Sequence, residues 1–137
     1  MAVRIAIDTN RCRDFSDGLP EAVEKLRLAE QVCLPFVVLG ELRAGFLAGR
    51  SVAGAPGSAG SRNSRNLTAF LNRPRVRVLW PDNQTIMEYA RLWVQLRGRG
   101  TPIPTNDLWI AALALQHNLL LYTRDSHFDR VPQIARA

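Results

Sequence analysis

Residues 102–128, PIPTNDLWIAALALQHNLLLYTRDSHF, constrain the fold of this chain more than any other stretch. An apolar run headed by Asp107 reads as a helix that ends near His117. Gln116, His117 and Asn118 supply a turn, and residues 119–123 then read as an apolar strand. Thr105 or Asn106 is the expected helix N-cap. Asp125 falls just past the strand. Two carboxylates therefore lie at one edge of a sheet, where open α/β folds bind their ligands. A divalent cation is the natural reason for such a pair, and it calls for further acids elsewhere in the chain.

The preceding residues repeat the same alternation. Residues 3–7 form a β-branched run ended by Asp8-Thr9-Asn10, a strand followed by a capping turn. Residues 11–18 are polar and promise no more than a weak helical turn. Leu19-Pro20-Glu21 opens a helix, with proline at its first position and Val23, Leu26 and Ala29 or Glu30 as its apolar stripe. Residues 32–35 read as a second strand. Residues 36–48 are apolar nearly throughout, with Glu41 in their midst, and Gly40 and Gly45 suggest close helix packing. Residues 49–64 turn to Gly, Ala, Ser, Pro and Arg, the composition of a flexible loop. Residues 67–71 begin a helix that Arg73-Pro74 ends. Residues 76–80 form a third strand, and Asp82 or Asn83 caps a helix striped by Ile86, Tyr89, Ala90, Trp93 and Leu96. Arg97-Gly98-Arg99-Gly100 breaks it. The tail holds at most a short final strand around Ile134.

This order predicts one α/β domain over residues 1–137, with a mostly parallel central sheet of four to five strands covered on both faces. No apolar run reaches the length of a membrane span, and the start is too soon charged for a signal peptide. Cys12 and Cys33 have no metal-type spacing and read as reduced thiols of a cytoplasmic protein. The 18 basic and 12 acidic residues give a net charge of +6, and Lys25 is the only lysine. Arginine forks suit phosphate, so nucleic acid and acidic protein are the favoured partners, although arginine-rich coding produces the same bias.

Each acid also has a plain structural reading. Asp8 could be a helix cap, Asp107 a favourable first-turn acid, and Asp125 a turn residue. Glu41 is harder to place that way, because its helix looks largely buried and an unpaired buried carboxylate is costly. Four acids at one edge would repel one another and raise each other's pKa values, and a divalent cation removes that penalty. Oxygen ligands without a Cys or His cluster point to Mg²⁺ or Mn²⁺, and hence to phosphoryl chemistry. His117 at a helix end and His127 beside Phe128 read as structural. Trp80, Trp93 and Trp109 read as core.

Four segments in order carry a family resemblance. Ile7-Asp8-Thr9-Asn10, Leu39-Gly40-Glu41-Leu42 with Gly45, Asn106-Asp107 with Ile110-Ala111-Ala112, and Thr123-Arg124-Asp125 with His127-Phe128 and Val131-Pro132 are similar to the acidic motifs of PIN-domain ribonucleases. In particular the chain resembles the VapC-type toxins of bacterial toxin–antitoxin pairs. Arg65-Asn66-Leu67 through Phe70-Leu71 resembles the helix before the third strand. The resemblance implies a PIN-like three-layer α/β/α fold and a Mg²⁺- or Mn²⁺-dependent endoribonuclease. It implies Asp8, Glu41, Asp107 and Asp125 as catalytic and metal-holding residues. Thr9, Asn10, Asn106 and Thr123 would support them or touch substrate. The implied partners are RNA, a VapB-type antitoxin and a second copy of the chain, in a homodimer or a toxin–antitoxin hetero-oligomer. A PIN-like binding module, or an RNA-processing nuclease without a toxin role, is the alternative. A phospho-receiver would want a lysine near the last strands, and a haloacid-dehalogenase-like phosphatase would want an Asp where Asn10 stands.

Overall fold

Four short runs, each three to five residues long, make the sheet, and all of them pair in parallel. In the computed structural model, residues 2–53 and 59–137 are described. In chain order the elements are β1 (Arg4–Ile7), α1 (Thr9–Ser16), α2 (Pro20–Leu28), β2 (Gln31–Pro35), α3 (Phe36–Ala53), α4 (Ala59–Leu71), β3 (Val76–Leu79), α5 (Asn83–Gly98), α6 (Thr105–Gln116) and β4 (Leu120–Tyr122). A 3-10 turn, Ser126–Arg130, closes the order. The strand order is β3-β2-β1-β4, within three α/β/α layers. Ile5 is in register with Val32 on one side and Leu120 on the other, and Pro35 with Leu79. The strands therefore end level with one another, and the residue next after each strand is delivered to one shared edge.

The expected final strand is a single parallel bridge, Leu121 to Arg136, beside β4. Its backbone bonds are Leu121 N to Ala135 O at 2.9 Å and Ala137 N to Leu121 O at 3.1 Å.

Helix α6 is buried nearly all round, at Leu108 and from Ile110 to Ala114, as suits a helix sandwiched in a core. Its N-cap is Pro104, which offers no side-chain hydrogen bond, so neither Thr105 nor Asn106 plays the capping part. Asp107 in the first turn provides the negative charge that this end favours. The turn into β4 uses Asn118 at φ 53°, a left-handed conformation that asparagine tolerates well.

The polar segment 11–18 forms a full helix rather than a weak turn. The Asp8 carboxylate accepts the Arg11 backbone N–H at 2.9 Å, Arg11 pairs with Asp14 at 3.3 Å, and Phe15 packs against Phe70 at 5.5 Å. The Arg11 guanidinium also lies 4.4 Å over the Tyr122 ring. Tertiary partners thus supply what local pattern lacks. On α2 the buried positions are Ala22 and Leu26, with Ala29 just past its end, while Val23 is exposed. The Arg75 guanidinium holds the carbonyls at the end of α2, reaching Arg27 O at 3.2 Å and also Ala29 O. The expected loop 49–64 is helical at both ends, since α3 runs to Ala53 and α4 starts at Ala59. Its middle, 54–58, lies outside the described residues. A Cβ at Gly40 would meet nothing within 4 Å, so that glycine marks no close packing among the described residues.

Helix α5 buries only part of the expected stripe, Leu96 and, in part, Tyr89. Thr85, Leu92 and Leu96 face the core, with Tyr89 half-buried, while Ile86, Ala90 and Trp93 are exposed. Tyr89 and Leu96 lie at the edge shared by the expected face and the observed one, and both faces satisfy the helical period. The choice is made at the start of the helix, where Asp82 and Thr85 form a capping box. The buried Thr85 hydroxyl also donates to the Gln116 side-chain carbonyl at the end of α6, and the Gln116 amide donates to Asp82 at 2.9 Å. None of the three tryptophans is core. Trp80 is exposed and stacked on Phe36 at 6.4 Å, and Trp109 is half-buried, stacked on Tyr89 at 4.3 Å.

Replacing Thr85 with valine keeps shape and removes the hydroxyl that ties α5 to α6. We expect Thr85→Val to lower unfolding stability by about 1–3 kcal/mol in urea titrations, because Gln116 and the Asp82 N–H lose a buried partner. An unchanged midpoint would show that the network contributes nothing.

Candidate metal centre

The acid cluster is built from the level strand ends upward. Asp8 leaves β1 at the point where Thr123 leaves β4. Asp8 is only 5% exposed. One of its oxygens caps α1 through the Arg11 N–H, and the other accepts the Thr123 hydroxyl. The same Thr123 oxygen accepts the Asp125 backbone N–H at 3.0 Å. One hydroxyl therefore links two acids on two elements. Asp125 in turn caps the 3-10 turn by accepting the His127 N–H at 2.9 Å.

That turn folds the His127 ring back toward the acids. Its Nδ1 lies 2.8 Å from Asp107 Oδ2 and 3.2 Å from Asp125 Oδ1. Ligand atoms of Asp107, Asp125 and His127 all lie within 4.8 Å of one another. Glu41 on α3 stands apart from this triad and accepts the Thr9 hydroxyl at 2.9 Å.

The expected burial of Glu41 is not what the structure has. Val38 and Leu42 turn into the core, and Glu41 and Gly40 face out. An apolar segment hides the side on which its one acid sits. Of the other expected residues, Thr9 and Thr123 are buried and bonded to the acids, Asn10 is half-buried on α1 and Asn106 is exposed. His127, expected to pack on the sheet, joins the acids instead. A histidine two residues after a candidate acidic ligand is the signal in the sequence that points to it. His117 is a helix C-cap, as expected, and its carbonyl accepts Arg4 Nη2 at 3.1 Å.

Electrostatics ties all four acids together. Burial pushes the Asp8 carboxyl above its usual range, against the Thr123 and Arg11 hydrogen bonds, and the Asp125 charge adds to the push. Burial likewise raises Asp107, opposed by His127 and reinforced by the charges of Asp125 and Glu41. A cation among these groups would relieve both shifts. The donor set of hard carboxylate oxygens with one imidazole fits Mg²⁺ or, with the nitrogen, Mn²⁺.

Beside the pit Asp14 binds two guanidiniums. Arg124 Nε and Nη2 reach it at 3.0 and 3.1 Å in a bidentate fork, and Arg11 approaches from the other side. The pair of arginines, Arg124 first, holds the Asp14 carboxyl below the ordinary range. An open cleft of about 580 Å³ lies elsewhere, between α1 and the α3–α4 pair, and none of the four acids lines it.

Comparison with known proteins gives this geometry a lineage. A PIN domain profile matches residues 5–134. Ribonuclease VapC1 of Haemophilus influenzae strain R2866 is 31% identical over 117 residues, which cover 85% of this chain and 80% of the relative. Ribonuclease VapC4 of Mycobacterium tuberculosis is 33% identical over 98 residues, covering 72% and 69%. Among solved structures, VapBC-1 from nontypeable Haemophilus influenzae aligns with a TM-score of 0.78 at 26% identity, over 98% of this chain and 97% of the other. VapBC2 from Rickettsia felis, bound to a DNA fragment from its promoter, shares the fold with a TM-score of 0.82 at 24% identity over 98% of each chain. With its four acids at the level edge of a parallel sheet, the chain belongs to the PIN-domain family, among the VapC ribonucleases.

Proposed function

We propose that this chain is a metal-dependent endoribonuclease and the toxin of a VapBC-type pair, restrained by a cognate antitoxin. The observation that carries the reading is the coupling of Asp8, Glu41, Asp107 and Asp125 at one solvent-facing edge, two of them forced above their ordinary pKa. Asp8, Asp107 and Asp125 would hold Mg²⁺ or Mn²⁺, with Glu41 reaching it directly or through water. When bound, the ion supplies Lewis acidity to the phosphodiester and lowers the pKa of water.

The chain's own residues do the rest. Thr123 keeps Asp8 and Asp125 at fixed separation. Thr9 occupies one oxygen of Glu41, leaving the other to take a proton from the attacking water. Water adds to phosphorus, the bond to the 3′ oxygen breaks, and that oxygen takes up a proton. Products carry 5′ phosphate and 3′ hydroxyl. Arg124, half its side chain exposed, is placed to grip a phosphate flanking the scissile one, with Asp14 orienting it.

The antitoxin assignment rests on family membership and on the paired composition of the solved relatives. A chain of net charge +6 suits an acidic partner segment as well as RNA. No helix among the described residues is long and apolar enough to cross a membrane. Burial raises the Cys12 and Cys33 thiols above their ordinary range, keeping both protonated, as suits the reducing cytoplasm in which we place the protein.

Asp8→Asn and, separately, chelation with EDTA should each cut endonucleolytic cleavage of single-stranded RNA by at least about a thousandfold, with Mn²⁺ restoring the chelated wild type. Undiminished cleavage under EDTA overturns the metal reading. Growth arrest on expression, relieved by the adjacent antitoxin gene and absent in Asp8→Asn, tests the toxin role. Cleavage without arrest would leave an RNA-processing nuclease.

The raised acids also predict a pH signature. A carboxyl whose folded pKa lies above its unfolded value favours folding in its protonated form. Its contribution is present below about pH 4, near the unfolded value, and is lost as pH rises through the folded value. The metal-free Tm of Asp8→Asn should therefore exceed that of wild type at pH 7, and the gap should close toward pH 4. Mn²⁺ should raise the wild-type Tm at pH 7 and leave Asp8→Asn nearly unmoved. A gap that widens on acidification would contradict the direction assigned to Asp8.

Arg124→Ala should raise KM for RNA several-fold, leave kcat within about twofold, and flatten the slope of log K against log salt by about one. A loss confined to kcat would remove Arg124 from substrate binding.

A further inference from the structure

The net charge of this chain is unevenly placed. Residues 42–81 hold seven arginines, no lysine and no acid, against +6 for the whole, so everything else sums to −1. That segment covers most of α3, all of α4 and β3. Charge of one sign gathered on neighbouring elements is the footprint of a polyanion.

The same segment walls the open cleft between α1 and the α3–α4 pair. A glycine keeps that wall low. Gly45 lies within α3, where glycine weakens a helix relative to alanine. It does not serve close helix packing, because a Cβ there would meet only the tip of Arg13, 3.7 Å away, among the described residues. What the missing side chain leaves is room in the cleft. Three half-buried rings, Phe15, Phe46 and Phe70, line the interior. Asn63, Asn66 and Phe70 recur at helical spacing, so one face of α4 brings two exposed carboxamides and a ring to it. Arg13 and Arg73 are exposed and line it too, with the Arg73 guanidinium 5.8 Å over the Phe70 ring. Asp17 is the one acid among the lining residues.

The cleft is continuous with the acid edge. The Thr9–Glu41 hydrogen bond joins α1 to α3 there, and both helices run on from it. At about 1.5 Å per residue, Arg13 lies about 6 Å beyond Thr9 along α1, and Phe46 about 7.5 Å beyond Glu41 along α3. A strand with one phosphate at the acids therefore reaches the cleft within a few nucleotides. We propose that this cleft receives an unstacked base of single-stranded RNA, from a nucleotide flanking the scissile phosphate. Asn63 and Asn66 read the base edge, the rings supply apolar and stacking contact, and Arg13 and Arg73 hold the adjoining phosphates. An acidic peptide would use the charge alone, whereas carboxamides offer the paired donor and acceptor that a base edge requires. The inference rests on the ribonuclease reading and deepens it, since the acids cut while the cleft decides where.

Equilibrium binding to the full chain in EDTA, without cleavage, tests it. The probe is a fluorescein-labelled single-stranded RNA of about twelve nucleotides, with an abasic residue walked along it. Removing the base at one position should weaken binding at least about fivefold. At that position 2-aminopurine should brighten on binding as it leaves its neighbours' stack, and in Mn²⁺ the cut should fall within a few nucleotides of it. Gly45→Leu favours the helix and fills the cleft, so it should keep or raise Tm, weaken RNA binding at least about fivefold and erase the abasic effect. Arg13→Ala combined with Arg73→Ala should flatten the slope of log K against log salt by about one to two, while Arg91→Ala, outside the basic segment, should leave affinity within about twofold. Wild-type affinity in Gly45→Leu, or an unchanged salt slope in the double arginine variant, would overturn the proposal. A flat abasic scan in a chain that still cleaves RNA overturns this inference alone. A chain that neither binds nor cleaves RNA overturns the ribonuclease reading with it.

Discussion

Burial of carboxylates at one sheet edge, sharpened by the charges of neighbouring acids, is the constraint on which the rest of this structure depends. Asp8, Asp107 and Asp125 cannot drift apart, because each leaves a different element at the same sheet edge. Asp8 is nearly sealed from water, so its charged form is the costly one. The chain offsets that cost with hydrogen-bond donors placed among the acids. The Thr123 hydroxyl and the Arg11 N–H serve Asp8, His127 serves Asp107 and Asp125, and Thr9 serves Glu41. Burial still holds the Asp8 and Asp107 carboxyls above their ordinary range, with the charges of neighbouring acids adding to it. A site left under-neutralised while folded is one that gains when a cation arrives.

Holding that arrangement requires a scaffold that does not yield, and β1, β4 and α6, which stand behind the acids, are deeply packed. Strands β1 and β4 lie side by side, with Ile5, Ala6, Ile7 and Leu121 fully buried. Helix α6 presents Asp107 from the first turn of a cylinder that is apolar on nearly every side. Its far end is tied by the Thr85, Asp82 and Gln116 network, so the helix cannot slide along its axis without breaking those hydrogen bonds. Rotation is barred by the absence of any polar face to turn outward. The position of Asp107 is thus set by the packing of a whole helix rather than by a loop.

Much of this is legible in residue pattern, for physical reasons that differ between elements. The strands are readable because a strand buried on both faces is a continuous apolar run, and the acids because each ends or begins such a run. Asp8, Asp107 and Asp125 need only that logic. Glu41 belongs with them for a reason other than the expected burial. Its neighbours are apolar, but Val38 and Leu42 face inward while Glu41 faces out to meet Thr9. Helix α1 is stronger than its pattern suggests, because local pattern does not show that Arg11 is held by Asp14 and the Tyr122 ring. His127 escapes a reading by hydrophobic period, since the 3-10 turn that folds it back is created by Asp125 capping its backbone, a contact between neighbours that period does not report.

Helix α5 shows most clearly where periodicity stops being informative. A period of 3.6 identifies a helix but leaves its rotation free, and a sequence with two apolar stripes offers two rotations. The stripe through Ile86, Ala90 and Trp93 is the more hydrophobic, yet the core receives the one through Thr85. Thr85 can enter the core because Asp82 and Gln116 satisfy its hydroxyl there. The bonded threonine sets the rotation, and the greasier stripe is left facing out. Ile86, Met87, Trp93 and Val94 thus lie on the surface although their pattern alone would have placed a helix face of that composition in the core.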